Sequence, residues 1–169
     1  RQPAHTSRAP RRGGALMARG QSQFLRIFSG DTTYQRWQSY YVNTSVTWES
    51  AAWSYQPFDA DGITAGEVQS ESSISVTLPA TTNVMEVVLQ ALNEARLAEL
   101  QIYEFDTTLG NSTPQAGQTL IASYLGEVVG VSGSFTQITM ELGSSISPVG
   151  AQVPPRKFTT KLIGAPCQL

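Results

Sequence analysis

The side chains that could do chemistry are few and badly spaced for it. The 169 residues include one histidine, His5, and one cysteine, Cys167. A serine or cysteine nucleophile needs an imidazole within hydrogen-bond reach inside the fold. His5 lies in a segment of Arg, Pro and Gly that has little to bury. Structural zinc needs several Cys or His ligands, and this chain offers one of each, near opposite ends. There is no G-x-x-x-x-G-K-[ST] loop for phosphate and no G-x-G-x-x-G after a strand. Thirteen carboxylates leave a glycosidase-type pair formally open, but nothing in their spacing selects one. Asp59, Asp61 and Glu67 have the composition of a calcium loop, yet Gly62 falls at its fourth position rather than its sixth, and an acidic turn is the simpler reading. The expectation is therefore no enzyme, no metal and no cofactor.

Two surface chemistries remain. The first is aromatic: Trp37, Trp48 and Trp53, with Tyr55 and Phe58 nearby. These residues read as core. The alternative is a carbohydrate-binding β-sandwich module of a tail fibre or cell-surface protein, which would need the three tryptophans together on one solvated face. The second is charge. The formal net charge of −2 hides a separation. Arg1, Arg8, Arg11, Arg12, Arg19 and Arg26 lie in the first 26 positions, and Arg156, Lys157 and Lys161 near the end; only Arg36 and Arg96 lie between. Basic ends on an acidic body suit contact between subunits. Arg8, Arg11, Arg12, Arg19, Arg156, Lys157 and Lys161 are the candidate subunit-contact residues.

The elements that must carry these groups centre on residues 68–106, which read strand, helix, strand. Ile74, Val76 and Leu78 alternate with polar residues until Pro79, as in a half-buried strand. Asn83 is placed to cap a helix over 83–96, with Glu86 reaching back to it. Val84, Val88, Ala91, Leu92 and Ala95 form its apolar stripe, widened by Met85, Val87 and Leu89. LQIYEF then returns to β-formers. YYVNTSVTWE reads as the cleanest strand and AAWSYQPF as its return. FLRIF is a short strand in an otherwise unclear stretch from Phe24 to Trp37. LIASYLGEVVGV, FTQITMEL and RKFTTKLI complete the series, the last alternating Phe158, Thr160 and Leu162 with Lys157, Thr159 and Lys161. The fold class expected is α+β, mostly β: a sandwich or barrel of about seven or eight strands with one flanking helix. Residues 1–23 read as an extended basic arm and 24–169 as one domain. Met17 is a candidate start within the arm. No apolar run approaches the ~20 residues of a membrane helix, so no membrane partner is expected.

Residues 68–169 resemble small tail proteins of tailed phages. The likeness lies in a strand, a helix running into ALNEARLAELQIYEF, then LIASYLGEVVGVSGSFTQITMEL, and an ending VPPRKFTTKLIGAPCQL. The resemblance is to tail-tip ring proteins of the distal-tail or hub-adaptor type, with a fold like tail-tube subunits. It implies a structural virion protein in the phage tail, assembled in the host cytoplasm. It also implies a ring of this chain with itself, six-fold in preference to three-fold, seated between tail tube and hub or baseplate. DNA would be passing cargo, which an acidic lumen would let slide.

Overall fold

The computed structural model describes residues 18–62 and 73–143. Within them run β1 (Arg19–Ser29), β2 (Thr32–Gln38), β3 (Val46–Trp48), β4 (Ala51–Tyr55), β5 (Asp59–Asp61), β6 (Ile74–Pro79), α1 (Thr82–Asn93), β7 (Leu97–Asp106), β8 (Thr119–Gly133) and β9 (Gln137–Gly143). The nine strands make one mixed sheet in the order β3-β4-β2-β1-β7-β8-β9-β6-β5. Only the β2–β4 pairing is parallel. The α+β, mostly β class holds, with one helix. The strands number nine among the described residues rather than seven or eight, and the sheet does not close into a barrel. The arm up to residue 17, the loop 63–72 with Glu67, and the RKFTTKLI strand lie outside the described residues.

The middle of the sheet is β1, paired along its length with β7 and by hairpin with β2. Here the sequence reading falls short. Residues 19–23, read as the end of the arm, are the first half of β1. The Phe24–Trp37 stretch, read as unclear, is the β1–β2 hairpin turning at Gly30 with φ +55°. The pattern is obscured because both faces of β1 are covered. Leu25 and Ile27 enter the core that includes α1, while Phe24 enters a second cluster on the opposite face. A strand buried on both sides loses its alternation.

The first core joins Leu25, Trp37, Ile74, Val76, Leu78, Leu100, Ile138, Met140 and Leu142 to Val84, Val88 and Ala91 of α1. The alternating residues of β6 and β9 are buried as expected. Met85 and Leu89 point outward instead of widening the helix stripe.

On the other face, Trp48 of β3 lies 5.4 Å from the ring of Tyr103 on β7. In a flat sheet those strands would be four spacings, about 19 Å, apart. The β3–β4 hairpin therefore folds back over β1 and β7 and forms a second layer at that end alone.

The helix is shifted from the expected 83–96. Its cap is Thr81, whose hydroxyl accepts from the Val84 N–H at 3.4 Å, so Asn83 falls inside the first turn. It stops at Asn93 because Ala95 takes φ +49°. The Arg96 N–H then bonds the Ala91 carbonyl at 2.9 Å and the Ala95 N–H bonds that of Leu92 at 3.2 Å. This double closure favours glycine at the left-handed position. Arg96 holds the turn in place: its guanidinium stacks 3.4 Å over Tyr34 and pairs with Glu94 at 2.8 Å. A Cβ at left-handed φ costs about 1–2 kcal/mol. Ala95→Gly should therefore raise unfolding stability by about 0.5–1 kcal/mol, after the extra unfolded-state freedom of glycine is subtracted. Chemical denaturation measures this.

Candidate functional site

Two places were singled out for function, the tryptophans and the basic residues. The tryptophans do not form a platform. Trp37 is 2% exposed in the helix-side core, and Trp53 is 4% exposed in the cluster on the opposite face. Phe24 is the hub of that second cluster, edge-on to Trp53 at 5.1 Å and to Tyr103 at 5.7 Å. The β3–β4 turn that brings Trp48 and Trp53 there has Glu49 and Ser50 at φ +49° and +62°. Both central residues of a two-residue hairpin at positive φ match the twist of the strands. The Tyr103 hydroxyl reaches the Glu49 carboxylate at 3.4 Å and the Gln101 side-chain oxygen at 3.1 Å.

One buried amide sets the approach to this cluster. Residues 40–49, expected as the cleanest strand, are a strand only over Val46–Trp48. Before it the chain turns around Gln38, which is fully buried. The Gln38 Oε1 accepts from the Tyr40 and Tyr41 N–H groups at 3.0 and 2.7 Å. Its Nε2 donates to the Tyr41 and Thr44 carbonyls at 2.9 and 3.3 Å. The amide thus satisfies backbone groups that a ladder would otherwise have taken. The alternation of YYVNTSVTWE is local propensity overruled by one side chain.

Of the candidate contact residues, only Arg19 is described. It begins β1 and its Nη1 lies 3.0 Å from the Glu104 Oε2 of its own chain, an exposed pair of small energetic weight. Arg8, Arg11, Arg12, Arg156, Lys157 and Lys161 lie outside the described residues. Arg26 approaches Glu99 at 3.5 Å. The described body is strongly acidic: four arginines and no lysine against eleven carboxylates. Among the described residues, no three His, Cys, Asp or Glu side chains gather around a metal position. No helix among them is long and apolar enough to cross a membrane.

Asp59 and Asp61 do not sit in a turn. They are the ends of the three-residue strand β5 at the edge of the sheet, both exposed, with Ala60 between them turned toward the core. Three residues are too few for alternation to be read as a strand. The chain matches no family model and no curated protein.

Two outcomes follow. Gln38→Leu keeps the side-chain size but leaves the Tyr40 and Tyr41 N–H groups without their acceptor, while the Tyr41 carbonyl keeps the Thr44 hydroxyl. It should cost more than about 2 kcal/mol and speed hydrogen exchange at the Tyr40 and Tyr41 amides. Burial also pushes the Tyr41, Tyr103 and Tyr124 hydroxyls above the ordinary value of 10.0. The unfolded chain ionises them first, so their contribution to stability is intact below that pH and lost as pH climbs beyond it. Tyrosinate absorbance should show these three titrating late, in step with alkaline unfolding.

Proposed function

We propose that this chain is a structural virion protein: a subunit of a ring in the distal tail or baseplate of a tailed phage, connecting tail tube to hub. The observation that carries this reading is an open acidic sheet in a chain whose other basic residues lie toward its two ends. The sheet ends in β3 and β5 rather than closing on itself. An unclosed sheet presents backbone donors and acceptors to another chain. Within the described residues, the order β6, α1, β7, β8, β9 agrees with the strand, helix, strand order expected from the resemblance over 68–169.

Assembly of this kind rests on apolar burial and strand-edge pairing. Charge then sets register, because exposed ion pairs contribute only about 0–1 kcal/mol each. The surface offers apolar material for burial. Leu120, Leu125 and Val129 of β8 are about half exposed, and Phe135 in the β8–β9 turn is fully exposed. A head-to-tail contact closes into a rotational ring, with six-fold symmetry matching a tail tube and three-fold the next choice. The carbohydrate-binding reading loses its main support, since Trp37 and Trp53 are buried on opposite faces.

Reconstruction of the intact particle tests the proposal. The chain should appear coaxial with the tail tube, next to the hub. A position in the capsid shell or in a peripheral fibre would refute it.

A further inference from the structure

We infer that the β5 edge receives the basic segment 157–162 of a second copy of this chain, added as a further strand of the sheet. This rests on the ring reading and names the contact that would close the ring.

The edge has a distinct pattern. Among the described residues, β5 is the last strand of the sheet and is paired on one side only, with β6. In register, Asp59 lies opposite Thr77 and Asp61 opposite Ser75, on the face away from the helix-side core, while Ala60 lies opposite Val76 on the core face. Phe58 and Ala60 carry that core out to the edge, each only partly buried. A strand that completes the edge must place apolar side chains beside Phe58 and Ala60 and positive ones beside the two aspartates.

The segment 157–162 has this alternation. Phe158, Thr160 and Leu162 share one side, and Lys157, Thr159 and Lys161 the other. In an added strand, side chains stay on their own face along the whole pairing. Any register that puts Phe158 or Leu162 on the Ala60 face therefore puts the lysines on the aspartate face. Opposite charges across a strand pair attract, and like charges repel. Two copies of the acidic edge thus reject each other, and the basic strand is selected. β5, β6, β8 and β9 contain no Lys or Arg, so none of these strands offers a cation to the aspartates.

Reach permits the contact. The described chain ends at Gly143 of β9, two strand spacings, about 10 Å, from the β5 edge. Residues 144–156 can span up to roughly 40 Å when extended, well beyond that edge. The contact joins two different surfaces, segment and edge, so it is heterologous and repeats around a ring.

Two charge-reversed chains test the inference: Asp59→Lys with Asp61→Lys, and Lys157→Glu with Lys161→Glu. All four side chains can be changed without touching the described core, and the thermal midpoint of each variant should stay near that of the wild type. Native mass spectrometry reads the assembly. Each variant alone should associate more than about tenfold more weakly than wild type. An equimolar mixture should reassemble with both variants alternating in even-numbered assemblies, because in the mixture every edge meets a strand of opposite charge. If either variant alone assembles as well as wild type, the inference is overturned while the ring survives. Impaired variants that form no mixed complex of any size when combined would place the segment on its own chain's edge, which also overturns it. Charge-dependent assembly into dimers or open chains would support the contact but refute the ring. A wild-type chain that stays monomeric would refute both.

Discussion

The constraint on which the structure depends is the two-sided burial of β1. Phe24 and Leu25, adjacent in sequence, enter different clusters on opposite faces of the sheet, and both are fully buried. The helix covers one face and the folded-back β3–β4 hairpin covers the other. β1 is pinned to β7 over Arg19–Phe28 and to β2 over Phe24–Ser29. Neither cover has an anchor without this strand: α1 packs on the core that holds Leu25 and Ile27, and Trp48 and Trp53 close on Phe24. A large-to-small change at Phe24 would leave a cavity among three other aromatic rings, in the class of core truncations that costs about 3–5 kcal/mol.

How far the sequence could be read follows from this arrangement. β6 and β9 were legible because each has one face on the helix-side core and the other open, so period-two alternation survives in Ile74, Val76 and Leu78 and in Ile138, Met140 and Leu142. The existence of the helix was legible from its stripe; its ends were not. Thr81 and Asn83 are both good caps, and a left-handed alanine at position 95 has no signature in sequence. β1 was hidden because double burial erases alternation. Tyr40–Ser45 misled for the opposite reason: an alternating pattern was overruled by Gln38, a residue that propensity alone would place on a surface. Of the candidate contact residues only Arg19 could be placed, and it is held by Glu104 of its own chain.

The same layering leaves one part of the sheet without a cover among the described residues. The β3–β4 hairpin spans β1 and β7, and the face beyond it, on β8, β9, β6 and β5, carries Leu125 and Val129 beside Glu127 and Glu141 and ends in Asp59 and Asp61. Exposed aliphatic side chains among carboxylates suit a partner that brings apolar contacts and positive charge together. Under the proposed self-assembly, the basic residues outside the described segments would supply that charge from a second copy of the same chain.

The most direct test of that reading is the mass of the purified wild-type assembly under native conditions, across a range of protein concentrations. The account predicts one closed stoichiometry, six subunits or failing that three, which persists on dilution and loses definition at high salt as the charge contribution is screened. A monomer at every concentration, or a ladder of open-ended lengths, would contradict it.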